Sequence, residues 1–242
     1  MSKKFKGKPC VYCGKRPSTN TGDHVFARQF FLESERTNLI KVPACISCNN
    51  EKSKLEHYLA SLLPFGGLHN DASEHLSNFV QPRLNKNQKL KNELRKGMAY
   101  VVHNNENGDP ERRLTLPFDG DRYTKLFKYI VKGLSWYHWG TFLNENSFVY
   151  TIALTEAGEE MFHKYFFSLR SKHRVEATIG ANTISYLGVQ AVDKEILTIW
   201  QFHVFNGLLA SSSTEEDLHR TQSIGAITGP ASDEMNVIKM FE

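Results

Sequence analysis

The sequence predicts an α+β fold in two parts, an N-terminal module stapled by a metal ion and a C-terminal α+β domain with antiparallel strands. All four cysteines lie in two Cys-x-x-Cys pairs near the N-terminus, and segments with helical and with strand periods both follow. The length suits one large or two small domains. We therefore assign residues 1–64 to the module, 65–97 to a basic helical linker and 98–242 to the second domain.

The composition is that of an ordinary globular protein. Of the 242 residues, 40% are hydrophobic and 23% are charged, which excludes disordered, collagen-like and coiled-coil classes. The longest apolar stretch, residues 148–154, has the length of a strand, so no transmembrane helix is expected. Residues 1–10 lack the apolar segment of a signal peptide. We expect a reducing, cytoplasmic location and no membrane partner.

Positive charge is concentrated near the N-terminus. The net charge is +4, but residues 1–54 contain eleven Lys and Arg against four Asp and Glu, so the rest of the chain is net acidic. This asymmetry indicates a polyanionic partner, most simply nucleic acid. A solvated basic face is the alternative that charge alone leaves open.

The cysteine pairs indicate a metal site. In a reducing compartment, paired thiols at Cys10/Cys13 and Cys45/Cys48 favour a closed, tetrahedral and therefore structural zinc site. A redox pair and an iron–sulfur site are the alternatives. We call each Cys-x-x-Cys pair a knuckle. The 31 residues between the two knuckles exceed the spacing of a simple zinc ribbon, so a further element is inserted there.

A strand is predicted within this insert, and a helix is predicted after the second knuckle. The strand is predicted over residues 23–26, which puts Asp23 and His24 on opposite sides of the backbone. Beyond the second knuckle, helical spacing of apolar residues predicts a helix that opens near Asn49 and is ended by Pro64.

These motifs resemble the HNH endonuclease family of ββα-metal nucleases. The resemblance covers about residues 10–60 and rests on the four cysteines and on two runs, Asp23-His24-Val25 and Asn49-x-x-Lys52-Ser53. It implies that DNA is the substrate, that His24 is the general base and that Asp23 and Asn49 bind one catalytic Mg²⁺ or Mn²⁺. Asn38 is the candidate for the family's middle Asn, which usually lies nearer the helix residue.

The residue types suit hydrolysis of a phosphodiester. An imidazole with a pKa near neutrality suits a general base, so His24 fits that role. Oxygen ligands suit a hard divalent ion. Arg28 and Lys52 are predicted to contact DNA phosphates. His57, about 12 Å along the helix from Asn49, is not expected to share the ion.

Each assignment has a structural alternative. Taken alone, Asp23 and His24 would be an exposed turn pair, Asn49 a helix cap, and the basic residues solvated. Their occurrence together with two knuckles favours the nuclease. The rival hypothesis is a non-catalytic zinc-binding module that binds nucleic acid or a protein partner. The second domain has no predicted role beyond a surface for protein partners, and the oligomeric state is left open.

The remaining elements follow from periodicity. Four helical segments are predicted, at residues 72–79, 83–96, 121–142 and 155–169. Five strands are predicted, at residues 98–103, 113–118, 183–192, 195–205 and 208–212. The basic segment 83–96 would lie along a nucleic-acid backbone or form a solvated face. The aromatic run 136–139 favours a buried core over a base-stacking platform. The last thirty residues are expected to be loosely ordered.

Overall fold

A computed structural model describes seven stretches of the chain, residues 3–16, 20–66, 70–104, 108–206, 208–210, 219–221 and 223–239. They contain both helices and sheets, which confirms the α+β class. Within these stretches, no helix has the length and apolar character needed to span a membrane.

The N-terminal part is a two-stranded antiparallel sheet followed directly by a long helix. Strand β1 (Asn20–His24) pairs with β2 (Lys41–Cys45), and α1 (Ile46–Gly66) begins at the next residue. Short 3-10 turns at Lys3–Phe5, Arg28–Phe30 and Glu33–Glu35 precede and connect the strands. The predicted strand and helix are therefore present, each beginning three residues earlier than expected.

Helix α1 continues past Pro64, so the prediction that Pro64 ends it is wrong. A proline in a helix lacks the N–H that would bond to the carbonyl four residues earlier. That carbonyl, on Ala60, instead accepts a hydrogen bond from the guanidinium of Arg83. A partner from outside the helix thus satisfies the group that Pro64 leaves without its usual donor.

Four short helical segments and a hairpin connect the two parts. The segments are α2 (Asn70–His75), a π-helical turn (Leu76–Val80), α3 (Gln81–Lys86) and α4 (Gln88–Gly97). The single basic helix predicted over 83–96 is broken at Asn87, whose side chain accepts a hydrogen bond from the backbone N–H of Leu90 at 3.1 Å. Strands β3 (Ala99–Asn104) and β4 (Pro110–Thr115) form the predicted hairpin.

The C-terminal part is a five-stranded antiparallel sheet with helices on both faces. It comprises α5 (Gly120–Trp139), β5 (Ser147–Leu154), α6 (Glu156–Ser168), β6 (Ser171–Ile179), β7 (Ile184–Ala191), β8 (Thr198–Val204), the pair β9 (Leu208–Ala210) and β10 (His219–Thr221), β11 (Ser223–Pro230), a 3-10 turn (Ala231–Asp233) and α7 (Glu234–Ile238). The strand order is β5-β11-β8-β7-β6. Helix α5 lies against the face that contains Trp200 and Phe202, whereas α6 covers the opposite face through Phe162 and Phe166.

Two strands of this sheet correct the sequence prediction. The last thirty residues were expected to be loosely ordered, yet β11 lies between β5 and β8 and is buried along nearly its whole length. Its small residues have a packing role, because a Cβ at Gly225 would come within 2.6 Å of the Phe162 ring. Strand β6, at the edge of the sheet, was not predicted.

The two parts of the chain share one hydrophobic core. The ring of Phe26, just after β1, packs against Tyr186 and Phe202 of the sheet. Helix α5 approaches closely at Gly133, where an added Cβ would lie 2.9 Å from Val25. The N-terminal unit is therefore positioned by direct packing on the sheet and on α5.

Candidate functional site

The four cysteines form a compact cluster that could hold a metal ion such as zinc. Their Sγ atoms all lie within 4.8 Å of one another, and the Sγ atoms of Cys13 and Cys45 are 3.8 Å apart. Thiolates arranged tetrahedrally at about 2.3 Å from a zinc ion would be separated by about 3.8 Å. The spacing of the sulfurs therefore fits a four-cysteine metal site, which confirms the cluster predicted from the sequence.

Local backbone structure brings the two knuckles together. The first is a tight turn in which the N–H of Gly14, at φ 71°, donates to the Cys10 carbonyl at 2.8 Å. The N–H of Val11 joins this turn to the β1–β2 sheet by donating to the carbonyl of Pro43 at 3.0 Å. The second knuckle is the junction of β2 with α1, where the N–H of Cys48 lies 3.4 Å from the Cys45 sulfur.

A lysine from the C-terminal part lies beside this cluster. Lys132 of α5 donates from Nζ to the carbonyl of Tyr12, between the two cysteines of the first knuckle, at 3.1 Å. Burial lowers the pKa of Lys132, while negative charge on the neighbouring thiols acts to raise it. A cation here offsets the net negative charge that four thiolates keep around a divalent ion.

Asp23 belongs to a buried ionic cluster next to the cysteines. Its Oδ2 accepts a hydrogen bond from the Tyr12 hydroxyl at 2.5 Å and lies 3.2 Å from Nζ of Lys52. Lys52 is fully buried, and its ammonium also donates to the His24 carbonyl at 2.7 Å and to the carboxylate of Glu56. One ammonium thus joins β1 to two turns of α1.

Burial dominates the protonation of this cluster. It raises the pKa of Glu56 to about 7, more than the attraction of Lys52 lowers it, and Asp23 acts in the same direction as burial. Burial and the nearby Asp23 carboxylate also raise the pKa of the Tyr12 hydroxyl. Two carboxylates around one ammonium would carry net negative charge, so the protonated form of Glu56 is favoured up to neutral pH.

His24 lies at the edge of this cluster, beside exposed basic residues. Its side chain is half-buried and, by strand alternation, points away from the face that carries Asp23. Burial and the positive charge of Lys41, directly opposite on β2, lower the pKa of His24, and Arg28 acts in the same direction. The imidazole is therefore favoured in its neutral form, which accepts protons.

Asn49 and Asn38 have different environments. The side-chain amide of Asn49, in the first turn of α1, donates to the Thr21 hydroxyl at 2.9 Å. Thr21 and Asp23 share one face of β1, so Asn49 and Lys52 contact the same face of the strand. Asn38 is exposed, with φ at 56°, in the loop before β2.

In this arrangement Oδ2 of Asp23 is already taken by the Tyr12 hydroxyl and the Lys52 ammonium, so an Mg²⁺ or Mn²⁺ ion shared with Asn49 would have to use the other Asp23 oxygen. The Asp23 carboxylate is buried and already accepts from two donors, and the cation beside it is the Lys52 ammonium. The amide nitrogen of Asn49 is directed at Thr21. Lys52, a predicted phosphate contact, is fully buried, and its ammonium has three protein partners. Arg28 is exposed, as a phosphate contact requires.

A second polar network, not predicted from the sequence, lies on the face of the sheet covered by α6. The carboxylate of Glu159 accepts hydrogen bonds from Ser223 Oγ at 2.8 Å, from His203 Nε2 at 3.1 Å and from the amide of Gln201. The oxygen of that amide accepts from His163 Nε2 at 2.9 Å. Glu159 and His163 are four residues apart on a predicted helix, and this spacing was the available signal.

No family model, curated protein or solved structure matches this chain.

Proposed function

We propose that this chain is an HNH-type endonuclease that hydrolyses phosphodiester bonds in DNA, with structural zinc on its four cysteines and His24 as general base. The observation that carries the proposal is that the cysteine cluster joins a strand, strand and helix unit bearing Asp23, His24 and Asn49. A binding module would need the cluster, but it would not need a proton-accepting imidazole among exposed cations.

The surroundings of His24 support its role as the base. Because its pKa is lowered, the neutral imidazole is available near pH 7 to take a proton from water as the water oxygen bonds to phosphorus. The bond to the 3′-oxygen then breaks, and that oxygen takes a proton from solvent, leaving 5′-phosphate and 3′-hydroxyl ends. Arg28 and Lys41, both exposed, supply positive charge to the phosphate.

The ionic cluster has a positioning role in this scheme. The Lys52 ammonium binds the backbone carbonyl of His24 and the side chain of Asp23, so it fixes the end of β1 against α1. The imidazole is then held at a fixed place on the surface, as general-base catalysis requires. These steps use only residues of the chain itself. An Mg²⁺ or Mn²⁺ ion, if held by the free oxygens of Asp23 and Asn49, would add positive charge at the phosphate.

The test is plasmid cleavage by wild-type protein and by His24→Ala, in Mg²⁺, in Mn²⁺ and in EDTA. Loss of a general base lowers the rate by about 10²- to 10⁴-fold. His173→Ala, a change at an exposed histidine of β6, is the matched control and should cut like wild type. Circular dichroism and zinc content should be unchanged in both variants. Equal cleavage by His24→Ala and wild type would overturn the proposed role of His24.

A second function has one observation in its favour. Because Asp23 is buried and paired, the unit also suits a non-catalytic zinc module that binds nucleic acid or a protein partner. That function would give DNA binding by wild type and His24→Ala alike, with no cleavage under any of the three conditions.

A further inference from the structure

Basic side chains from four helices converge on one cleft beside α1. The cleft, of about 590 Å³, lies between α1, α3, α4 and the start of α5. We call it the basic cleft, and the charged residues that define it are Lys54, Arg83, Lys86, Lys89, Glu93 and Arg122. Five of these six are cationic, whereas the chain as a whole is nearly balanced in charge.

The single carboxylate in the basic cleft already has a partner. Glu93 pairs with Arg122 at 3.1 Å, and Arg122 also pairs with Asp119 at 3.0 Å. Over the described part of the chain, Lys86 and Lys89 have no carboxylate within ion-pair distance. Lys86 lies at the end of α3 and Lys89 at the start of α4, and both line the cleft.

The floor of the basic cleft is apolar and holds its cations in place. The Arg122 guanidinium lies over the Tyr58 ring, 4.4 Å from its centroid, and Leu90 is buried beside it. Arg83 is half-buried and anchored on the Ala60 carbonyl. Burial and the nearby Arg36 lower the pKa of Arg83, and partial burial and Arg83 in turn lower that of His57. The positive charge in and around the cleft therefore lowers the pKa of its basic side chains.

Unpaired cations held close together repel one another, and this repulsion opposes folding unless an anion is bound. The cleft is open and its lysines are flexible point charges, which suits a chain of phosphates better than one small anion. Further basic residues continue along the exposed side of α4 at Arg95 and Lys96. Lys54 follows Asn49 by five residues on α1, about 7.5 Å along the helix axis.

We propose that the basic cleft binds the phosphate backbone of DNA. The choice of DNA rests on the proposed function. The cleft is a contact surface separate from His24. It positions the duplex and takes no part in bond breaking.

The test measures DNA binding by the full chain, using fluorescence anisotropy with a labelled duplex between 50 and 300 mM salt. Lys86→Glu/Lys89→Glu should weaken binding about 10- to 100-fold at 100 mM salt. The slope of log K against log salt should fall by about 2, because each phosphate contact contributes about 0.9. Lys164→Glu/Lys239→Glu makes the same charge change at exposed sites outside the cleft and should preserve the slope.

Three outcomes separate this proposal from its rivals. Equal DNA affinity and equal salt slope in the two double variants would overturn the proposal. In that case, tight binding of tripolyphosphate by wild type that is lost only in Lys86→Glu/Lys89→Glu would assign the cleft to a small polyphosphate. If DNA binding falls as expected but wild type cuts no DNA, the cleft proposal stands and the nuclease proposal fails. If wild type cuts DNA and the cleft variant binds and cuts equally well, the nuclease proposal stands and the cleft proposal fails.

Discussion

The N-terminal unit and the C-terminal sheet both contain hydrogen-bonded carboxylates, buried in the first and half-buried in the second, and their partners differ. Around Asp23 and Glu56 the main partner is a fully buried ammonium. Around Glu159 the partners are a hydroxyl, an amide and an imidazole, and the Glu159 side chain is 19% exposed. The first arrangement depends on one ammonium, whereas the second has several neutral or weakly basic donors and stays partly open to water.

This difference follows from what each region has available for folding. The sheet joins long strands through continuous ladders and buries large aromatic side chains on both faces. The N-terminal unit has two strands of five residues and one helix, and its strands and knuckles are joined by the cysteine cluster and the Lys52 cluster. The unit packs its apolar side chains into the core that it shares with the sheet, and the two clusters supply the interactions that join its own short strands to its helix.

Loss of the proposed cysteine-bound metal should have the largest effect, and this effect should be strongest in the N-terminal unit. We expect Cys48→Ser to unfold β1, β2 and α1, because a structural zinc ion contributes about 10 kcal/mol or more to folding such modules. Hydrogen exchange should show loss of protection there, with β7 and β8 still protected. Ser47→Ala, in the same knuckle, is the control and should change little. Unaltered protection of β1 and α1 after chelation would show that the metal does not hold this unit.

Loss of the buried ammonium should be the next largest effect. We expect Lys52→Met to lower the free energy of unfolding by about 3–5 kcal/mol, because it leaves the buried carboxylate of Asp23 and the ionised fraction of Glu56 without their cation. Glu159→Gln keeps an acceptor oxygen for its neighbours and should cost only about 1 kcal/mol. Urea unfolding at pH 7 measures both.

A triple substitution tests whether unpaired buried charge causes the stability loss of Lys52→Met. Asp23→Asn/Lys52→Met/Glu56→Gln removes all three charges together and should regain much of the stability that Lys52→Met loses. Equal losses of unfolding free energy in Lys52→Met and Glu159→Gln would show that the two networks do not differ in this way.

The smallest effect is a dependence on pH. The pKa of Glu56 is about 7 in the folded chain, against an ordinary value of 4.5, so between these values the folded chain holds a proton that the unfolded chain has released. Stability from this group is therefore full below pH 4.5 and is lost as the pH rises through about 7, by up to about 1.4 kcal/mol per pH unit.

The measurement is urea unfolding from pH 5 to 8, as the difference between wild type and Glu56→Gln. This difference should slope with pH. For Glu51→Gln, on the exposed side of the same helix, it should stay flat, because Lys125 and Tyr129 lower the pKa of Glu51 and keep it ionised throughout. A flat difference for Glu56→Gln would show that its carboxyl is ionised at pH 5.

Much of the local structure could be predicted from the sequence. The spacing of Cys10, Cys13, Cys45 and Cys48 predicted the cluster, because two-residue spacing has a direct geometric meaning for chelation. Helices α5 and α6 and strands β7 and β8 were predicted to within a few residues from periodicity alone, since one buried face sets the repeat. These features depend on residues that are close together in the chain.

Tertiary structure decided the rest, because it depends on partners that are distant in the chain. Lys52 was predicted to contact phosphate, and only the approach of β1 to α1 buries its ammonium between Asp23 and Glu56. Strand β11 has the small residues of a loop, and the rings that pack on it come from elsewhere. The sequence by itself therefore determined which residues cluster by spacing and which segments are helix or strand. Which charge neutralises which was decided only when the fold brought them together, since electrostatic and packing partners leave no periodic pattern in a single sequence.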